Sequence, residues 1–450
     1  MSNDLSKALS PVQLWGIIVG MVISGMYFGW NYALQSTSPV GFGIAVLVVT
    51  LFYTTFMFSY AELATAIPHA GASSEYVKRT LGSFGGFITG FACVMEFLFA
   101  VPAIALSIGA YINFLVPSIP VVAIAVAAYV IFIVINMLGV QTAAIVELVV
   151  TIVAIAGVIL FTLSGAGKVN FGNIFTSEPF FGGFGGIFAA IPFAIWFYLG
   201  AEGGAMAAEE CRNPQKDIPR GFILGIITLV ILAFCTLIVT VGIGDASKIN
   251  SVDSPLPSAL ALAFGEDSIL SKLLSFIGLF GLIASMHGLI IGYSRQTFSM
   301  SREGYFPKFL SYTTAKNKSP VWAIIVPSII GLVFVLTRAT ATIIVLSCIG
   351  SIVLYIMSMV SFFLLRKKEP ELLRPYKMKN PAVPVIALVL SLVFLAAVTY
   401  ANLSTMFKVV VTFAAAAVFY FAYSRRNIAN ISAAAGKGAA AEKEFATEKE

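Results

Sequence analysis

The sequence predicts an all-α membrane protein with about twelve transmembrane helices, two of them interrupted. Three observations carry this. Hydrophobic residues make up 59% of the chain and charged residues only 11%, where a soluble domain carries about 25% charge. The apolar residues fall into runs of membrane-spanning length. Glycines gather in the middle of two of these runs, where they weaken the helix.

The first four predicted spans are Val12–Leu34, Gly41–Ile67, Phe84–Phe114 and Val121–Leu138, and the next four are Ala143–Leu163, Gly183–Ala208, Phe222–Gly242 and Leu270–Ser299. The last four are Val321–Leu336, Ile343–Leu365, Val383–Tyr400 and Val409–Tyr423. The polar start, Met1 to Ser10, is short and the first apolar run reaches full spanning length, so no cleavable signal peptide is expected. With the N-terminus inside, the predicted cytoplasmic segments hold every one of the 27 lysines and arginines except Lys168, Lys248, Lys272, Arg338 and Lys408. That asymmetry predicts both termini in the cytoplasm, and a location in the cell membrane is expected. Between spans, Ser251–Gly265 outside and Ala72–Leu81 inside are expected to lay short helices over the two faces. The tail, 425–450, alternates Ala, Gly, Lys and Glu and is expected to be a mobile cytoplasmic segment after a single transmembrane domain, 1–424.

The net charge of +6 is distributed among loops rather than along one face, which argues against nucleic acid. The four cysteines (Cys93, Cys211, Cys235 and Cys348) show no pair spacing and read as packing thiols, with neither a metal site nor a disulfide framework. No cysteine lies in an external loop, so no disulfide-linked heavy subunit is expected, and a homo-oligomer stays open.

The sixth run begins as an ordinary apolar helix and then places Gly200, Gly203 and Gly204 around Glu202. A carboxylate at membrane depth is costly enough to be a functional-site hypothesis by default. The first run carries a matching weakness in Gly20-Met-Val-Ile-Ser-Gly-Met-Tyr-Phe-Gly29, where Ser24 adds a hydroxyl beside Gly25. Interrupted segments in corresponding positions of two halves point to a transporter binding site, whose loosened backbone can hold a cation. The alternative for either break alone is a glycine packing surface.

The other carboxylates inside predicted spans are Glu62, Glu96 and Glu147. Glu62 lies near a cytoplasmic end, where pairing with Lys78 or Arg79 is expected. Glu96 lies near mid-depth and reads as a substrate contact, a proton-coupling group or a structural hydrogen bond. Glu202, beside the loosened backbone, is the better candidate for a gating or titrating group. His287, mid-way along the eighth span, could titrate or donate to a substrate, or bridge two helices. His69 is expected to be solvated, and Arg295 to snorkel at its helix end.

Four stretches, in order, resemble the amino acid–polyamine–organocation transporter superfamily over nearly the whole chain. They are Glu62-Leu-Ala-Thr-Ala-Ile-Pro-His-Ala-Gly71; Gly200-Ala-Glu202 with Glu209-Glu-Cys-Arg-Asn-Pro-Gln-Lys-Asp-Ile-Pro219; Ser301-Arg-Glu-Gly-Tyr-Phe-Pro307; and Leu365-Arg-Lys-Lys-Glu-Pro-Glu-Leu-Leu-Arg-Pro375. Within it, Ile23-Ser-Gly-Met-Tyr-Phe-Gly-Trp-Asn31 and Met286-His-Gly-Leu-Ile-Ile-Gly-Tyr-Ser-Arg-Gln296 look most like the ethanolamine permease group. The resemblance implies a five-plus-five inverted repeat, about 12–163 and 183–365, with two extra helices at about 383–423. It also implies a substrate amine held by backbone carbonyls at Val22, Trp196 and Leu199, with the Trp196 ring as a lid. Cationic amino acid members have a glutamate in a setting similar to Met95-Glu96-Phe97.

Two departures matter. In amino-acid-transporting members the first break usually reads Gly-Ser/Thr-Gly, whose bare N–H groups cradle a carboxylate; here it reads Ser24-Gly25-Met26. The long apolar Met26 would crowd and dry such a site, and burying an anion without donors is costly. An amino alcohol such as ethanolamine avoids that cost. Many members also carry a lysine midway along the fifth span, where this chain has Ala154, with Glu147 two turns earlier and expected to face the inner vestibule. Coupling by proton, by exchange or none at all therefore stays open, with the coupling ion, proton or sodium, undetermined, and no cofactor is expected.

The resulting expectation is a permease for ethanolamine or a close amino alcohol. An amino acid or polyamine exchanger is the rival and a non-transporting amine sensor the remote alternative. An enzyme is not expected, because no nucleophile–base constellation or phosphate loop appears.

Overall fold

The computed structural model of the chain describes residues 9–138, 144–314, 317 and 319–429. The first helix, α1 (Pro11–Val22), starts on a reciprocal Ser10–Gln13 capping box with Pro11 in its first turn, so its leading N–H groups are satisfied before it enters the apolar run. It breaks at Ile23, continues as the single turn α2 (Ser24–Tyr27), and resumes as a 3-10 segment, Trp30–Gln35. The next helices are α3 (Pro39–Ala66), α4 (Ser73–Leu115), α5 (Val121–Met137), α6 (Ala144–Ala166) and the short α7 (Phe171–Ile174). Gly82, at φ +78°, divides α4 into a short N-terminal helix and a long one, so a helix lies where Ala72–Leu81 predicts one.

The sixth run begins as α8 (Gly183–Ile195), loses α geometry around Trp196–Gly200, and ends as a 3-10 segment, Ala201–Glu210. After it come α9 (Pro214–Ile243), α10 (Pro255–Phe264), α11 (Ile269–Arg302), α12 (Val321–Thr337), α13 (Thr340–Lys368), α14 (Ala382–Ala401) and α15 (Leu403–Phe419). Helix α10 falls inside the Ser251–Gly265 segment expected to hold one. Among the described residues nine helices are long and apolar enough to cross a bilayer. Together with α5, α8 and α12 they account for the roughly twelve spans expected.

The last helix departs from its expected bounds. It starts at Leu403 and continues through a π-turn at Tyr420–Ser424 to Ala429. Residues 425–429 therefore belong to it rather than to a tail, and Ser424 Oγ donates to the Tyr305 carbonyl at 2.6 Å. The tail expected from 430 onward lies outside the described residues.

Helix α4 is the centre of the molecule, with 89% of its apolar window buried, against 28% for α6 and 22% for the last helix. It packs against α11, α13 and α5. The outward faces of α6 (Ile145, Val149, Leu163) and α15 (Phe407, Val410, Val418) are apolar and exposed, as a lipid-facing surface must be.

Both ends of the bundle are tied. At the end rich in lysine and arginine, Leu9 N–H donates to the Glu210 carbonyl and Arg212 N–H to the Leu9 carbonyl. There Arg295 pairs with Glu210 at 3.1 Å, Lys78 with Glu303 at 2.6 Å, and the Glu209 carboxylate accepts from Ala70 N–H. Arg295 thus fixes the end of the sixth run rather than snorkelling, and His69 is half-buried, its Nδ1 accepting from Gly71 N–H. Glu62 does not pair with Lys78 or Arg79, because Arg366 forks onto both of its oxygens at 2.8 and 2.6 Å and Arg374 lies at 3.4 Å. At the opposite end the Asp253 carboxylate accepts from Tyr32 and Thr340, and Asn31 donates to the Ile249 and Val252 carbonyls.

Candidate functional site

The two broken runs cross at their breaks. A Cβ on Gly25 would lie 2.3 Å from the Trp196 carbonyl oxygen, and one on Gly29 would lie 2.4 Å from Trp196 Nε1. Glycine is therefore required at both positions, and at Gly29 a φ of +91° demands it a second time. The Trp196 indole lies edge-on to Phe28 at 5.5 Å and is buried, with its Nε1 unpartnered.

Each break frees a particular carbonyl. In an unbroken helix Met26 N–H would bond to the Val22 carbonyl and Gly203 N–H to the Leu199 carbonyl. Met26 N–H turns instead to Ile23, at 3.0 Å, and Gly203 N–H to Gly200, at 3.0 Å. Val22 and Leu199 thus lose the donors that helical continuity would supply, and both line a small, narrow cavity together with Met21, Ser24, Ala100, Ile104, Trp196 and Leu289. Of the residues expected at a substrate site, Val22, Ser24, Trp196 and Leu199 meet here. Gly25 and Gly200 form the backbone behind them, Gly200 in the left-handed region at φ +94°.

Met26 does not line this cavity. It is fully buried, and its carbonyl accepts from Trp30 Nε1 at 3.2 Å. Ser24 N–H is occupied too, donating to Ser285 Oγ at 3.0 Å, which in turn donates to the Gly20 carbonyl at 2.7 Å. The first break thus offers neither Ser24 nor Met26 N–H to an anion.

Glu96 is also absent from the cavity wall, one helical turn away from Ala100, which does line it. It is fully buried and faces Glu202 beside the Gly200 backbone. Glu202 Oε2 accepts from Tyr355 at 3.2 Å, and the Tyr355 hydroxyl lies 2.7 Å from that of Tyr53. Glu202 Oε1 and both Glu96 carboxyl oxygens have no hydrogen-bond partner. Glu147 lies against the first break, where its Oε1 and Thr151 Oγ1 would each be 2.6 Å from a Cβ on Gly20. His287 stands apart between α11 and α5, its Nδ1 3.2 Å from Asn136 Nδ2, which matches the helix-bridging alternative. Ala154 uses its carbonyl to accept from Tyr27 at 2.6 Å.

Sequence reasoning placed Gly29 in the first break but missed Ser285 and Tyr355. Ser285 and Tyr355 are isolated polar groups in long apolar helices, and only packing shows what they face.

The model of the family described as amino acid permease matches residues 12–431. The chain is 27% identical over 449 residues to the branched-chain amino acid permease BcaP of Bacillus subtilis (strain 168), covering 94% of each protein. It is 26% identical over 452 residues to the methylthioribose transporter of the same organism, covering 95% of each. To the low-affinity putrescine importer PlaP of Escherichia coli (strain K12) it is 26% identical over 405 residues, 84% of this chain and 87% of that protein. These relatives are named for chemically different substrates at near-equal identity, so likeness alone does not choose among them.

Proposed function

The chain belongs to the amino acid permease family, within the amino acid–polyamine–organocation superfamily, and on that premise we propose that it carries ethanolamine, or a closely related amino alcohol, across the cell membrane by alternating access. That it is a multi-pass membrane transporter follows from the family and the apolar helices; the substrate and the orientation are the proposal. The termini are placed on the cytoplasmic side, following the lysine and arginine distribution.

One observation carries the substrate reading. At the first break the N–H groups of Ser24 and Met26 are already donated, so a substrate carboxylate would be desolvated with few donors to receive it. An ammonium finds the reverse, with the Val22 and Leu199 carbonyls released from helical bonding and the Trp196 ring beside them. A cation over an indole gains about 0.5–2 kcal/mol. A substrate with an ammonium and a hydroxyl uses what is present and asks for nothing that is missing.

The second reading, an amino acid or diamine transporter, is favoured by the branched-chain and putrescine relatives and by the apolar wall of Ala100, Ile104 and Leu289. Uptake of labelled ethanolamine into proteoliposomes, challenged with leucine, alanine, arginine and putrescine, separates the two. Competition by unlabelled ethanolamine well below the others supports the proposal. Displacement by leucine or putrescine at low concentration, with ethanolamine ineffective, replaces it with the second. Met26→Gly is expected to add amino acid uptake by relaxing the first break.

A further inference from the structure

We propose that Glu96 and Glu202 form a proton-binding pair that holds one proton between them and couples proton movement to transport. The proton site itself stands on the geometry alone; its coupling to transport rests on the reading of the chain as an amine transporter.

The two carboxyls come from different elements, Glu96 from the centre of α4 and Glu202 from the 3-10 segment after the sixth-run break. They meet where water is excluded, at 0% and 3% exposure. Three of their four oxygens receive no hydrogen bond. The titratable groups that surround them are Tyr53 and Tyr60 of α3, Cys93 of α4, and Cys348 and Tyr355 of α13. None of these is a cation. Among the described residues the ion pairs engage Glu62, Glu75, Glu210, Glu303, Glu369 and Asp267, but neither member of this pair. Two adjacent carboxylates without a counter-charge cannot both stay ionised in a dry site, and a single proton shared between them resolves the repulsion. The O–H of one then donates to the other, satisfying oxygens that are otherwise orphaned.

The pair also has a route and a hinge. Glu202 lines a second small cavity, with Tyr60, Ser73, Ser74 and Gln296. Gln296 is 2% exposed and its Oε1 is unpartnered, while its amide donates to Ser74 Oγ at 3.1 Å. Ser74 is half-buried, so within a mostly apolar wall the polar groups of Gln296 and Ser74 lead from Glu202 toward the basic end of the bundle. On the other side, Glu96 lies one turn from Ala100 in the wall of the first cavity. Glu202 follows Gly200, whose left-handed backbone lets the 3-10 segment swing without moving α4. Swinging it parts the carboxyls, and each then ionises as it meets water, which releases the proton.

Infrared pH-difference spectra of the purified full-length protein read the pair without any substrate. The expected result is a protonated-carboxyl band that titrates in the wild type and is lost or displaced in both E96Q and E202Q, but unchanged in D267N, an exposed control. A band absent from the wild type, or untouched by both substitutions in protein that elutes as a single species, overturns the proposal. Coupling is read in proteoliposomes with a trapped pH dye, using ethanolamine, leucine and putrescine as probes. A transported amine should move the dye in the wild type, whereas E96Q and E202Q should exchange labelled amine and leave the dye still. Dye movement in both variants equal to the wild type overturns the coupling role. If the wild type moves none of the three amines, the substrate reading fails and the infrared result alone decides the pair.

Discussion

Glu62 and the Glu96–Glu202 pair are the same kind of residue at the same burial, and they are handled in opposite ways. Glu62, 2% exposed, receives a forked Arg366, has Arg374 at its side, and accepts the Met378 N–H. Every lone pair has a partner, Arg366 comes from the last turn of α13 and Arg374 from the loop that follows it, and the cluster clamps that helix end and loop onto α3. Glu96 and Glu202 have a single tyrosine hydroxyl between them. A buried charge that is fully paired is architecture, since removing one partner leaves the other stranded. A buried acid left unpaired is only tolerable if it can change its charge, which is what a working group in a transporter must do.

The contrast can be tested by breaking it at its strong end first. Glu62→Ala strands Arg366 and Arg374, and should cost about 3–5 kcal/mol, read as a large drop in the melting temperature of the detergent-purified protein. Glu96→Met should do the reverse to stability: replacing an unpaired buried acid by an apolar side chain of similar length should be neutral or stabilising by about 1 kcal/mol, while proton-coupled transport is lost. If E96M melts as far below the wild type as E62A, the two regions are not different in kind.

Smaller effects sharpen the comparison at the loops. Burial holds the Asp253 carboxyl above the ordinary carboxylate range, against the lowering effect of the Tyr32 and Thr340 hydroxyls. An acid whose folded pKa is raised weakens the fold as pH climbs from its ordinary value through the raised one. The melting temperature of the wild type should therefore fall more steeply than that of Asp253→Asn across that window. Glu369 carries the opposite sign, because Arg79 beside it holds its carboxyl below the ordinary range. Its contribution is present above the ordinary carboxylate pKa and disappears as pH falls through the lowered one. The pair is exposed, with side chains at 40% and 31%, so Arg79→Ala should cost under about 1 kcal/mol. That loss should shrink further in high salt.

Much of the fold was legible because its signals are local. Membrane-length apolar runs, the Ser10–Gln13 cap and the glycines of the two breaks each act within a few residues of chain. The last helix was underestimated because its ends are polar: Leu403 to Lys408 and Ser424 to Ala429 are helical but not apolar enough to read as a span. The candidate site was legible at Val22, Ser24, Trp196 and Leu199, which line one cavity and where broken helices advertise themselves. It was not legible at Glu62, Arg295 or Ser285, whose partners lie on other helices, since a sequence gives the depth of a polar residue and not its neighbour. Glu96 shows the limit best. Its depth left a substrate contact, a proton-coupling group and a structural hydrogen bond open, and packing sets it one helical turn away from the cavity, toward Glu202.

By itself, then, the sequence determined an all-helical membrane protein, its two weak points and the acids it keeps at depth, because hydrophobicity, helix propensity and glycine freedom are properties of short stretches. The tertiary structure decided which acids are neutralised and which are left waiting. Pairing in a dry interior depends on groups converging from far along the chain, and only the packed bundle brings Arg366 to Glu62 and leaves Glu96 facing Glu202.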